Sequence, residues 1–324
     1  MFNWWQTLGR RERSLFVLII LAAVLVTSID RGFLSTTNLR DILVRGAPIA
    51  IVACGVMLVV VSGEIDISVG SLMALLAAVM GLSLSRDHAA WSSGLGLPLI
   101  LGLGTLAGWA TGVLVTVGRV PSIMVTLGLL TALRGLTTII MRGGNIQNLP
   151  DGLTRWTKQG LFGLPLSIWT AGVVLAVTAW IIHRTALGRR IYAVGSSRQS
   201  AAMAGLSEGR LKRFVFAYTG FLTALATIVD VPRLPQIEAG IGNELELLVV
   251  TCVVVGGVSI SGGRGSLTGV VLAIVLMTLI RPMLTFMAVG ESGEKWTKAI
   301  QGLLILAAVV ADHAFAAHSR REPT

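Results

Sequence analysis

Apolar runs long enough to cross a lipid bilayer follow one another along this chain with little between them. They lie near 14–30, 46–63, 68–85, 95–118, 122–141, 165–183, 213–231, 245–261, 266–281 and 297–312. A spanning helix needs roughly 20 apolar residues, because hydrocarbon offers the backbone no outside hydrogen-bond partner. Only 13% of the 324 residues are charged, against about 25% in soluble domains. The expected fold is therefore all-α, a polytopic membrane protein of about ten transmembrane helices, with one domain over 1–324. The run at 68–85 follows its predecessor almost without a gap.

The formal charge of +10 would suggest nucleic acid in a soluble protein. Here, with no stacking platform or single basic face, it reads as Lys and Arg retained on the cytoplasmic side. Seven of these residues lie between Arg184 and Arg213, so that loop is expected inside. An even span count puts both termini with it. Arg10, Arg11 and Arg13 precede the run Leu15–Val26 in the manner of a signal peptide, but no small-x-small cleavage site follows, so the run is read as an uncleaved first span. Cys54 and Cys252 sit far apart inside apolar runs and read as small buried hydrophobes. Trp91, Trp156, Trp169, Trp180 and Trp296 fall near span ends, as interfacial indoles do; Trp109 is mid-span and reads as a packing residue. The four histidines lack metal-ligand spacing. The glycine run at 262–266 lacks the Lys-Ser/Thr ending of a nucleotide loop. No cofactor and no catalytic group are expected.

The hydrophilic loop 184–213 carries Ser200-Ala201-Ala202-Met203-Ala204-Gly205-Leu206. Ser196 followed by Gln199 fits a capping box, and Gly205 offers a left-handed stop. The helix between would hold about eight residues, roughly 12 Å, too short to stand without tertiary support. Ala201 and Gly205 would form a smooth face. Two readings stand on these residues alone: a helix held in a partner's groove, or a connector lying on the headgroups.

Val59-Val60-Val61-Ser62-Gly63 and Val253-Val254-Val255-Gly256-Gly257 look like a repeat, or like two low-complexity turns. Glu64, Asp66 and Ser68 follow the first. Asp66 or Ser68 could cap the next helix, and all three could line a gate. Arg134 falls inside a span, where a charge is costly and tends to be paired or functional. An Arg134–Asp230 ion pair is one expectation, snorkelling to the outer interface the other.

Leu187-Gly188-Arg189-Arg190-Ile191-Tyr192-Ala193-Val194-Gly195 followed by Ala201-Ala202-Met203-Ala204-Gly205-Leu206 resembles the permeases of ribose-type ABC importers. Ser62–Ser71, Gly118-Arg119-Val120-Pro121, Thr126-Leu127-Gly128, Arg134-Gly135, Ala239–Leu245 and Gly256–Gly263 agree in order and spacing, from about Phe33 to Asp312. The resemblance implies a translocation subunit that works as a dimer, with a second permease copy or a sister permease. It also implies a cytosolic ATPase, which would hydrolyse the ATP, and an external substrate-binding protein delivering a sugar or sugar-like solute. The loop helix would then be the coupling helix, with Ala201, Ala202, Gly205 and Leu206 filling the ATPase groove and Arg198 and Glu208 at its rim. An ion-coupled secondary transporter is the alternative. The chain departs from the family pattern at Gly195-Ser196-Ser197, Ala226, Asp230, Arg281-Pro282 and the charged stretch Glu291–Lys295.

Overall fold

The computed structural model describes residues 9–287, 295–304, 306, 307 and 310. Among them the chain is helical, with two isolated β-bridges. In order, α1 is Arg10–Ile29, α2 Thr36–Val61, α3 Val69–Leu84, α4 Ser93–Thr116, α5 Ser122–Met141 and α6 Asp151–Gln159. Then come α7 Leu166–Arg184, α8 Ala186–Ser196, α9 Arg198–Met203, α10 Glu208–Asp230, α11 Leu245–Val255 and α12 Leu267–Phe286. Seven of these (α1, α2, α4, α5, α7, α10 and α12) are long and apolar enough to cross a membrane, and α3 and α11 are shorter apolar helices. The last expected span, 297–312, is described only in part, and Glu291–Glu294 lie outside the described residues. The chain is a multi-pass membrane protein.

The two boundaries that differ most from the sequence expectation do so for local reasons. Helix α2 begins ten residues before 46, because the Ser35 hydroxyl accepts the Asn38 amide at 3.3 Å and starts the helix on a polar turn. Helix α11 stops at Val255 rather than 261, because Gly257 turns the chain left-handed at φ +94°.

The core forms around α2 and α10. Gly104, Gly108 and Gly112 recur at fourth positions and put a bare backbone stripe on one face of α4. That stripe lies directly on α10. A Cβ at Gly108 would fall 2.2 Å from the Phe216 carbonyl oxygen, and one at Gly220 would fall 2.1 Å from that of Gly104. On an adjoining face of α10, a Cβ at Gly55 of α2 would sit 2.7 Å from the Thr219 Cα. Between helices in lipid no hydrophobic force acts, so close van der Waals approach of small residues holds them together. The outer faces of α1, α4, α5 and α7 stay apolar and exposed, as at Leu21, Leu106, Ile139 and Trp180. Trp109 belongs to this face at 47% exposure. It is not the packing residue its mid-span position suggested, because the glycines occupy the packed side of α4.

Helix α2 closes with Gly63 N–H donating to the Val60 carbonyl and Glu64 N–H to that of Val59, at 2.9 and 3.1 Å. Helix α11 closes identically, Gly257 to Val254 and Val258 to Val253, at 3.0 and 3.1 Å. Both glycines are left-handed, at φ +82° and +94°, as the Schellman motif requires. The repeat read in the sequence is thus one turn used twice, running in the same direction. The chain just after the second turn meets the first, since a Cβ at Gly262 would lie 2.9 Å from the Gly63 Cα. The start of α1 is at this end too, where the Ser266 hydroxyl donates to Glu12. We call this the loop end.

Replacing Gly108 with Leu should overpack the α4–α10 contact, at a cost of about 1–3 kcal/mol or more. Gly102→Leu, where no atom lies within 4 Å of the new Cβ, should leave the melting temperature nearly unchanged. Thermal unfolding of both variants in nanodiscs checks the contrast.

Candidate functional site

The hydrophilic loop folds as two short helices, each started by a hydroxyl. Thr185 accepts the Gly188 amide ahead of α8, and Ser197 accepts the Ser200 amide ahead of α9, both at 3.2 Å. The cap of α9 is therefore Ser197 and not Ser196. The Ser196 hydroxyl instead donates to the Gly263 carbonyl. Helix α9 has six residues, fewer than the eight expected. Leu206 N–H donates back to Ala201 and Gly205 N–H to Ala202, with Gly205 at φ +73°.

Only part of the expected docking face is presented. Ala201 is buried at 5% exposure, so it packs inward and is not half of an outer face. Ala202 and Gly205 are exposed and Leu206 is half-buried. Met203 is the most prominent side chain at the tip, at 77% exposure.

The root of this hairpin is wedged into the bundle. A Cβ at Gly195 would fall 1.8 Å from the Val61 carbonyl oxygen and 2.6 Å from the Gly263 amide nitrogen. Gly263 N–H donates to that same Val61 carbonyl at 2.8 Å. Tyr192 donates its hydroxyl to the Gly265 carbonyl at 2.9 Å. The end of α2 and the segment 263–265 after the second Schellman turn thus bear on one point of the loop.

Four charged side chains complete the joint. The Lys212 ammonium, 4% exposed, donates to the carboxylates of both Glu64 and Glu208. Arg198 on α9 donates to Glu64 at 3.0 Å and lies 3.4 Å from Glu208. The network ties α9, the first turn of α10 and the chain just after α2 together. It lines a cavity of about 620 Å³ that also takes in Arg119 and Ser122. Glu64, Arg198 and Glu208 were thus separately placed in the sequence as gate and rim groups, and here they bind one another. Lys212 was read only as one more loop charge. Its spacing four residues after Glu208, on a helix turning apolar, was the signal for it.

The other gate residues lie deeper. Asp66 is buried and accepts from both the Ser68 amide at 2.9 Å and the Ser68 hydroxyl at 2.7 Å. Ser68 stands at the N-cap of α3 but makes no side-chain cap bond; the Asp66 carboxylate holds the turn instead. Gly70 then meets the start of α11. A Cβ there would lie 1.9 Å from Glu246 Oε2 and 2.4 Å from the Gly242 carbonyl oxygen. Helix α11 is roughly 16 Å long and its far end returns to the loop end, so this junction lies about that deep. The non-helical segment 62–68 is largely covered by protein, as irregular backbone among apolar helices must be, whereas 238–244 is exposed at Glu238, Gly240, Asn243 and Glu244. Glu246, which the sequence reading passed over, keeps a buried oxygen without a hydrogen-bond partner.

Arg134 does not pair with Asp230. Its Nη1 donates to the carbonyls of Ile241 and Ala239 at 2.7 and 3.2 Å, while Asp230 binds Arg233 at 2.9 Å. Arg233, three residues along the same chain, reaches Asp230 at small entropic cost. Arg134 spans from α5 to the re-entrant strand of chain ahead of α11.

The site is thus a hydrophilic loop rooted in the bundle, with broken helices behind it. A family model described as branched-chain amino acid transport system / permease component matches residues 38–309. The chain belongs to this permease family. Among its relatives, the ribose import permease protein RbsC of Haemophilus influenzae is 34% identical over 93% of each chain. The protein of the same name in Escherichia coli is 31% identical over 93% of each. The autoinducer 2 import system permease protein LsrC of Yersinia pestis is 32% identical, over 94% of this chain and 85% of the relative. No solved structure matches. Permeases of this kind are transport subunits and not enzymes.

Lys212→Met leaves two carboxylates without their buried cation and should cost about 3–5 kcal/mol. Adding Glu64→Gln should recover part of that loss, since the stranded charge is gone. Thermal unfolding of the single and double variants reads the difference. Burial also pushes the Tyr192 phenol up to about 12. Its contribution should be complete below the unfolded value near pH 10 and be lost as pH rises through about 12. Tyr192→Phe should cost about 1 kcal/mol at neutral pH and show a shallower alkaline decline, followed by intrinsic fluorescence against pH.

Proposed function

We propose that the chain is the translocation subunit of an ATP-driven ABC importer that brings a sugar or sugar-like small polar solute into the cytoplasm. A separate ATPase subunit hydrolyses the ATP and an external binding protein supplies the cargo. A second copy of this chain, or a sister permease, completes the membrane dimer. Helix α9 is the coupling helix, and the loop end faces the cytoplasm in the inner membrane. The importers named for ribose and autoinducer 2 among its relatives support the cargo class.

The observation that carries this reading is the joint between α9 and the bundle. A six-residue helix with an apolar tip cannot hold itself in place, and here Arg198 and the Gly195 wedge fasten it. A docked ATPase that moved the Met203 tip would therefore move the ends of α2 and α10 with it. Glu64 and Lys212 carry that displacement to the segment 64–68, which leads into α3. Asp66, Ser68 and Arg134 then act further along, by fixing the two broken-helix starts that open or close the path. Ala202, Gly205 and Leu206 meet the ATPase, and Ala201 supports them from beneath.

Met203→Glu should abolish co-purification of the ATPase with the permease while leaving the melting temperature within a few degrees. Arg198→Gln should keep the ATPase bound but lower uptake per ATP hydrolysed severalfold. Transport assays in proteoliposomes, with ATP hydrolysis measured in parallel, read both. Uptake that persists without any ATPase, and stops when the proton gradient is dissipated, would sink the reading in favour of ion coupling.

A further inference from the structure

At the end opposite the loop, a second cavity of about 520 Å³ opens between α2, the end of α10, the start of α11 and α12. Its size falls within the roughly 300–1,000 Å³ of small-molecule clefts. Four charged side chains line it: Arg45, Arg281, Asp230 and Glu244. The two carboxylates are already neutralised, Asp230 by Arg233 and Glu244 by Lys298, each at 2.9 Å. Neither guanidinium has an ion pair or side-chain hydrogen bond among the described residues. The cavity therefore holds two surplus positive charges.

Both side chains are exposed. Arg45 lies nine residues into α2, about 14 Å along its axis, and Arg281 five residues before the end of α12, about 8 Å. Exposed and without an ion pair, both are open to an anion that enters the cavity. Asn243 and Gln301 share that lining and offer donors and acceptors suited to hydroxyl groups. A guanidinium fork matches the oxygens of a carboxylate or phosphate in two parallel bonds.

Building on the importer reading, we propose that the cargo is a small polyhydroxylated anion. Arg45 and Arg281 bind its carboxylate or phosphate, and Asn243 and Gln301 bind its hydroxyls. This is a sugar acid or a sugar phosphate, in contrast to a neutral sugar. Arg281-Pro282 stands where the ribose-type pattern is Asn- and Gly-rich, and the structure brings that departure and Arg45 onto one cavity.

The test uses proteoliposomes holding the complete transporter, meaning this chain with its ATPase and binding protein. The probes are radiolabelled D-gluconate, D-ribose 5-phosphate and D-ribose. The expected result is ATP-dependent uptake of one anion, reduced tenfold or more by Arg45→Gln and by Arg281→Gln, with Arg281→Lys retaining part of it. Gluconate and ribose 5-phosphate separate carboxylate from phosphate recognition. Elution volume and melting temperature show that each variant is folded. Uptake of D-ribose alone, of none of the probes, or of an anion unaffected by both substitutions overturns the assignment and leaves the importer reading standing. So does a loss confined to capture of the binding protein, which would make the arginines a docking contact. Uptake without ATP would instead overturn the importer reading itself.

Discussion

Everything else in this molecule depends on how closely α10 approaches its two neighbours. Backbone lies on backbone at Gly108 and Phe216, at Gly104 and Gly220, and at Gly55 and Thr219. No side chain larger than a hydrogen fits at these points. With α2, α4 and α10 locked together, the exposed faces of the outer helices need only be apolar. The ends of α2 and α10 also come into register, and that register brings Glu64 against Lys212. A shift of one turn along α10 would part them by about 5.4 Å.

The loop end then reads as one mechanical joint made from two kinds of contact. Glycines supply the fit, at Gly63, Gly195 and Gly262–Gly263, and an ion network centred on buried Lys212 and Glu64 supplies the fastening. Under the proposed function, this joint is where force from outside the membrane enters the bundle. The junction of Gly70, Gly242 and Glu246 lies about 16 Å deeper and is reached through the segment after Glu64. The two sites are therefore neighbours along the chain although they are separated in depth.

Helix positions were largely legible in the sequence, because a bilayer permits so few alternatives for an apolar run. The Gly205 stop and the repeated turn were legible too, since left-handed backbone demands glycine. What could not be read was pairing between distant residues. Arg134 and Asp230 share a depth, and depth alone suggested a bond; the carbonyls of Ala239 and Ile241 took Arg134 because the chain re-enters beside it. The inward turn of Ala201 was equally hidden, since alanine suits either face. Trp109 was misplaced because mid-span position says nothing about which side of a helix faces lipid. Lys212 stood in plain view but looked like one basic residue among seven.

The burial of Lys212 has a consequence for the ionic environment. Surface ion pairs fade as salt rises, because mobile counterions crowd within a Debye length of about 8 Å at physiological strength. An ammonium that is 4% exposed against a carboxylate that is 9% exposed leaves those ions little room to enter. The Lys212–Glu64 contact that ties α10 to the end of α2 is thereby shielded from swings in ionic strength, while Arg198, 60% exposed, and the Arg86–Asp151 pair are left open to them.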